Sequence, residues 1–117
     1  MFEEIYRKLK DKGFDVYSIG QQSSDFENGY VVIVEYGDIE SSHKLGVKGR
    51  VDLMCFYPFG SYSKVNNFKE KIIDAMYEMR GYRMAYEPTQ ITVDDSKTAY
   101  QFKLSFYKNK IKKEGRY

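Results

Sequence analysis

Residues 47–57 read Val47-Lys48-Gly49-Arg50-Val51-Asp52-Leu53-Met54-Cys55-Phe56-Tyr57, so that Val47, Gly49, Val51, Leu53 and Cys55 alternate with Lys48, Arg50, Asp52, Met54 and Phe56. A period of two sends alternate side chains to opposite faces of a pleated strand, and this stretch predicts a long strand that buries one side. Pro58 and Gly60 end it, because proline has no N–H to continue a ladder. Upstream, Tyr30–Tyr36 is a run of aromatic and β-branched residues that reads as a strand covered on both faces or at its centre. Only the polar, glycine-flanked segment Gly37–Gly46 separates the two strands. The economical connection is an antiparallel hairpin whose wide loop projects past the body of the sheet.

On the N-terminal side, Phe2, Ile5, Tyr6 and Leu9 fall at helical spacing, with Glu3, Glu4, Arg7, Lys8 and Lys10 on the opposite face and Gly13 as the stop. A polar connector, Gln21–Gly29, leads into the hairpin. On the C-terminal side, Asn67 and Glu70 resemble a capping box, and Phe68, Ile72, Ala75, Met76 and Met79 follow on one helical face, which predicts a helix from Asn67 to Met79 closed by Gly81. Tyr82–Tyr86 reads as a short extended piece and Gln90–Val93 as a short strand. Asp94, Asp95 and Ser96 turn the chain into a last strand with Tyr100, Phe102, Leu104 and Phe106 on one side. The expected order is α-β-β-α-β-β. Strands that arrive in neighbouring pairs predict an α+β fold, an antiparallel four-stranded sheet with two helices packed on one face. Residues 1–109 form the expected domain and residues 110–117 a basic C-terminal tail.

The whole chain has 117 residues, 42% of them hydrophobic and 17% aromatic, with two prolines, which suits one folded domain rather than a disordered tract. No apolar run approaches the roughly 18 residues of a membrane span, and Glu3 and Glu4 do not fit a secretory leader. Synthesis and retention in the cytosol and no membrane partner are therefore expected. Cys55 and His43 are the only cysteine and histidine, too few for an internal disulfide or a zinc site. The formal charge is +2, concentrated at the end: the last ten residues carry +4 and residues 1–107 carry −2.

Each sequence feature with chemical potential has a plainer reading. Asp94 and Asp95 suit a turn better than a carboxylate pair. Asp38 and Glu40 lie near His43, yet no nucleophile accompanies them, and a solvated loop accounts for all three. Gly46-Val47-Lys48-Gly49 has the form of a backbone-clamping G-x-x-G loop but opens a strand instead of joining two helices. Tyr100, Phe102, Leu104 and Phe106 could stack nucleobases, although a sheet that must cover helices wants the same residues. Cys55 reads as a small core side chain. No catalytic set, cofactor or metal site is expected. The aromatic-rich segment Phe56-Tyr57-Pro58-Phe59-Gly60-Ser61-Tyr62 and the neighbouring Met54 suit an interface, which makes Met54, Phe56, Tyr57, Phe59 and Tyr62 the expected subunit or partner contacts.

The order of these elements resembles that of the tail-terminator and head-tail joining proteins of long-tailed bacteriophages and prophages. The likeness lies in the short amphipathic first helix, the long-looped hairpin from Tyr30 to Tyr57, the run Val51–Tyr57 leading through a turn into the helix Asn67–Met79, and a closing hairpin that ends at Asn109. A tryptophan common near the end of that family's second strand is replaced here by Phe56 and Tyr57. The resemblance implies a virion structural protein, not an enzyme, that assembles with itself into a ring, commonly a hexamer. Such a ring caps the tail tube protein and joins it to the head connector protein, with DNA passing through its channel without specific binding. It also implies that Lys44, Lys48 and Arg50 face the channel. Two other readings are a nucleic-acid-binding module that uses the basic C-terminal tail and the last strand's aromatics, and a different head-tail connector or adaptor protein.

Overall fold

The computed structural model describes residues 2–20, 29–36, 39–40, 46–85, 87–93 and 99–111. Helix α1 spans Phe2–Asp11 and buries Ile5 and Leu9. It stops where Gly13 adopts φ +93, with the Gly13 and Phe14 N–H groups donating to the Lys10 and Leu9 carbonyls. Strand β1, Val16–Ser18, follows. Strands β2, Tyr30–Glu35, β3, Ile39–Glu40, and β4, Gly46–Pro58, form the hairpin. Helix α2 spans Tyr62–Tyr77, and β5, Tyr82–Met84, β6, Thr92–Val93, and β7, Ala99–Ile111, complete the chain.

The fold is α+β with two helices, as expected, but the sheet is mixed. Its seven described strands run β1-β2-β4-β7-β5, with β3 on β4 and β6 on β7. Strand β1 pairs parallel with β2, Val16 opposite Val31, so the expected antiparallel four-stranded sheet in the order α-β-β-α-β-β is corrected by this parallel edge strand and by the short strands β3 and β5. Three residues, Val16-Tyr17-Ser18, are too short to show a period, and only pairing with an adjacent strand makes them one. The other ladders are antiparallel. Strand β4 pairs with β2 from Tyr30↔Phe56 to Glu35↔Val51 and with β7 over thirteen residues, from Gly46↔Ile111 to Pro58↔Ala99.

The expected wide loop is shorter than its polar sequence suggests, because β3 continues the hairpin with Ile39↔Lys48 and Glu40↔Val47, one residue out of step with β2. The rest of that loop, residues 37–38 and 41–45, lies outside the described residues, as do the connector residues 21–28, the Asp94-Asp95-Ser96 turn and tail residues 112–117. Strand β7 runs two residues past the expected domain end at Asn109.

Both helices cover one face of the sheet. Ile5 and Leu9 of α1 and Val65, Phe68, Ile72, Ala75 and Met76 of α2 share a core with Val31, Ile33, Val51, Leu53, Cys55, Phe102, Leu104 and Phe106. Cross-strand register sets this grouping, since Val31↔Cys55↔Phe102 and Ile33↔Leu53↔Leu104 are rows on one face. The expected core alternations in β4 and β7 are both observed. Helix α2, in contrast, begins five residues before its expected first residue Asn67: the Ser61 side chain accepts from the Lys64 N–H at 3.4 Å as the N-cap. Serine is as good a cap as asparagine, but the aromatic turn around it hid the signal.

Gly29 enters β2 with φ +83, where an added Cβ would lie 2.7 Å from the Tyr57 ring and 2.8 Å from the Phe56 carbonyl. The backbone passes so close to β4 that only glycine fits. Polar contacts then fasten α1 to its surroundings. Lys108 in β7 and the Tyr82 hydroxyl both donate to Glu4, at 2.7 and 2.8 Å, and Lys8 and Lys12 donate to Glu78 past the end of α2. The Lys108 hydrogen bond holds the Glu4 carboxyl below its ordinary value, while burial, followed by Glu4, pushes the Tyr82 phenol far up.

Candidate interaction surfaces

The sheet face opposite the helices is built by the alternate residues of the same strands. Its rows, read from the register, are Tyr30↔Phe56↔Gln101, Val32↔Met54↔Lys103 and Val34↔Asp52↔Ser105, followed by Arg50↔Tyr107↔Arg83. Tyr17 of β1 stands beside Val32. The aromatic rings interact: Tyr30 stacks on Phe56 with centroids 4.8 Å apart, and Tyr17 meets Tyr30 edge-on at 5.8 Å.

At the centre of this face Asp52 is only 1% exposed although no helix covers it. Arg50 donates through Nε to Oδ1 and through Nη2 to Oδ2, both at 3.2 Å, and the Tyr36 hydroxyl donates to Oδ2 at 3.0 Å. The guanidinium also lies 4.6 Å from the Tyr36 ring centroid. Burial alone would raise the Asp52 carboxyl, but hydrogen bonds from Ser105, Arg50 and Tyr36 outweigh it and hold the group below its ordinary value. The same hydrogen bond to Asp52 raises the Tyr36 phenol. A forked guanidinium on a carboxylate fixes both side chains, so this cluster organises the face and has no group poised to react.

A second surface lies where β4 passes into α2. Phe59 and Tyr62 are 53% and 59% exposed and pack on Tyr100 at 5.2 and 6.3 Å. Val93, 39% exposed, is the ladder partner of Tyr100. The Tyr100 hydroxyl donates to the Gly60 carbonyl at 3.4 Å and ties the turn to β7. At the opposite border of the sheet, Ile19 follows β1 with 68% exposure.

The five expected interface residues therefore divide. Met54 and Phe56 lie half-buried on the helix-free face, Phe59 and Tyr62 belong to the terminal aromatic cluster, and Tyr57 turns under the helices against Phe68 at 5.0 Å. Of the expected channel residues, Arg50 is committed to Asp52 and Tyr36, Lys48 lies in β4 opposite Asn109, and Lys44 lies outside the described residues together with His43. Tyr100, Phe102, Leu104 and Phe106 are all buried on the helix side, which removes them as a stacking platform. Cys55 is buried too, and that burial pushes its thiol well up, as befits an inert core residue. Sequence reading overlooked Tyr17, Tyr36, Ile19, Arg83 and Lys103. The alternation of Tyr30, Val32, Val34 and Tyr36 held a signal for one of them, but the others needed strand pairing.

Among the described residues no group of three His, Cys, Asp or Glu side chains is placed to hold a metal ion, and no helix is long and apolar enough to cross a membrane. The chain matches no known protein-family model, and no curated protein is significantly similar to it.

Proposed function

We propose that this chain is a virion structural protein of the tail-terminator kind, a subunit that assembles with itself into a ring, commonly of six, at the end of a phage tail tube and docks to the head connector. A ring needs two different patches on each subunit, one meeting the other on the next copy, with a rotation that closes. One observation carries the reading: large apolar side chains stand exposed at opposite borders of the sheet, Ile19 beyond β1 and the Phe59, Tyr62 and Val93 group beside β6 and β7. Exposed aromatics of this kind are typical anchors of a protein interface. A stable contact buries about 800 Å² per partner, and the short border strands and the aromatic turn are the surfaces from which it would be built.

The test is to add the purified protein to polymerising tail-tube protein encoded by the same genome and to measure tube length. Tubes of limited length, with the added protein at one end, are expected. Unrestrained growth at saturating concentration would reject the assignment. The nucleic-acid reading that relied on β7 aromatics loses its platform, since those rings fill the core.

A further inference from the structure

The helix-free face combines aromatic rings and cations in a way that neither the core nor a ring contact requires. Its strand positions hold Tyr17, Tyr30, Phe56 and Tyr107 together with Arg50, Arg83 and Lys103, and Asp52 is their one acid among the described side chains. That acid is buried and matched by Arg50, so it does not offset the other two cations. Among the described residues the helix side offers no acidic patch of a second copy to match them, since Glu70 and Asp74 on α2 stand among Lys64, Lys69 and Lys71. Glu4 is taken by Lys108, Glu78 by Lys8 and Lys12, and the outward positions of α1 mix Glu3 and Asp11 with Arg7 and Lys10. Charge complementarity therefore favours an external polyanion over another copy of the chain.

At the β6 border of the same face lies a cavity of about 370 Å³ lined by Met54, Phe56, Thr89, Gln90, Gln101 and Lys103. Thr89 is fixed there: its N–H donates to the Lys103 carbonyl at 3.1 Å, and its hydroxyl accepts from the Lys103 N–H at 2.7 Å. The floor is apolar, while the Gln90 and Gln101 amides supply both donors and acceptors, the pairing that a nucleobase edge presents in return.

We propose that the helix-free face of the sheet, with Tyr30 and Phe56 at its centre and Arg83 and Lys103 at its β7 side, is a binding surface for single-stranded nucleic acid. Unpaired bases stack on the rings and phosphates meet the cations. A duplex gains little, because its bases already stack on each other. The proposal stands whether or not the chain forms a ring, and it uses a surface distinct from the basic C-terminal residues.

The experiment is fluorescence anisotropy of a labelled oligothymidine 20-mer with the full chain, compared with oligouridine and with a duplex of the same length. Binding that favours both single strands over duplex is expected, weakening with salt along a log–log slope of about −1.4 for two phosphate contacts. Arg83→Ala and Lys103→Ala should each make the slope shallower by about 0.7. Phe56→Ala should weaken binding by roughly tenfold at unchanged slope. Arg83 is exposed, so its variant tests the surface even if Phe56→Ala folds poorly. Three outcomes would overturn the proposal: no binding at about 50 mM salt, duplex bound as tightly as single strands, or binding lost only when Lys110, Lys112 and Lys113 are changed to alanine together. A change of oligomeric state in the Arg83 and Lys103 variants with oligonucleotide affinity intact would equally overturn it, by assigning the face to a second copy.

Discussion

Asp52 shows how one residue fixes what a whole sheet face can be. Its carboxylate is held by Arg50 and Tyr36 where an apolar residue would fit the alternation less expensively, and removing the acid leaves a guanidinium without its partner. Asp52→Ala should cost about 3 kcal/mol in urea unfolding, and a loss under half a kilocalorie would show the cluster to be ornamental. The depressed carboxyl gives the sign of the pH dependence. Its contribution is present above the unfolded-state value near 3.8 and is lost as pH falls through the lower folded-state value. Acidification from pH 7 to pH 3 should therefore shift the unfolding midpoint of the native protein more than that of Asp52→Asn. Gly29 offers a second residue-scale test. Gly29→Ala meets both a left-handed backbone and a carbonyl, and should cost about 3 kcal/mol, whereas Gly13→Ala, with the same sign of φ and open space around it, should cost about 1 kcal/mol. Equal losses at the two positions would mean that the close approach of β4 to Gly29 does not exist in solution.

At the scale of elements, α2 tests its own start. Because the Ser61 side chain caps the helix, Ser61→Ala should lower stability by about 1 kcal/mol, while Asn67→Ala, a substitution inside the helix, should be neutral or slightly stabilising. The reverse pattern in thermal unfolding would restore Asn67 as the cap. The sequence showed the interior of this helix well, since Phe68, Ile72, Ala75 and Met76 repeat at 3.6 residues, and the stripe reaches back to the buried Val65 in the first turn, a signal the sequence reading overlooked because Tyr62, Ser63 and Lys64 before it are exposed. Strands β4 and β7 were legible for a like reason: Val51, Leu53 and Cys55, and Phe102, Leu104 and Phe106, alternate long enough to declare a period. Strands β1 and β3, of three and two residues, had no period to declare and exist through their partners, whereas the two residues of β6 fall within the expected strand Gln90–Val93. The candidate surfaces were half legible for the same reason. Which face of β4 holds Met54 and Phe56 follows from where the helices pack, a tertiary fact, and the gathering of Tyr17, Tyr30 and Phe56 follows from register.

For the whole molecule the question is whether the two borders of the sheet meet in successive copies, and the symmetry of the contact makes this testable without knowing the subunit number. In a head-to-tail contact, Ile19→Asp damages one border patch and Phe59→Asp the other, so either variant alone should fail to form the proposed ring. Mixed together, the two variants retain one sound pairing, the Ile19 border of the Phe59 variant against the Phe59 border of the Ile19 variant. That pairing can be made once and then has no continuation, so the mixture should stall at dimers when cross-linked at the tube end, and tube growth should stay unrestrained. A contact that is the same on both partners behaves otherwise, because the variant altered at the other border keeps its sound patch and dimerises with itself, without the second variant. Cross-linked dimers in the mixture and in neither variant alone would place the contact between opposite borders of the sheet, whereas full rings in either single variant would exclude these residues from it.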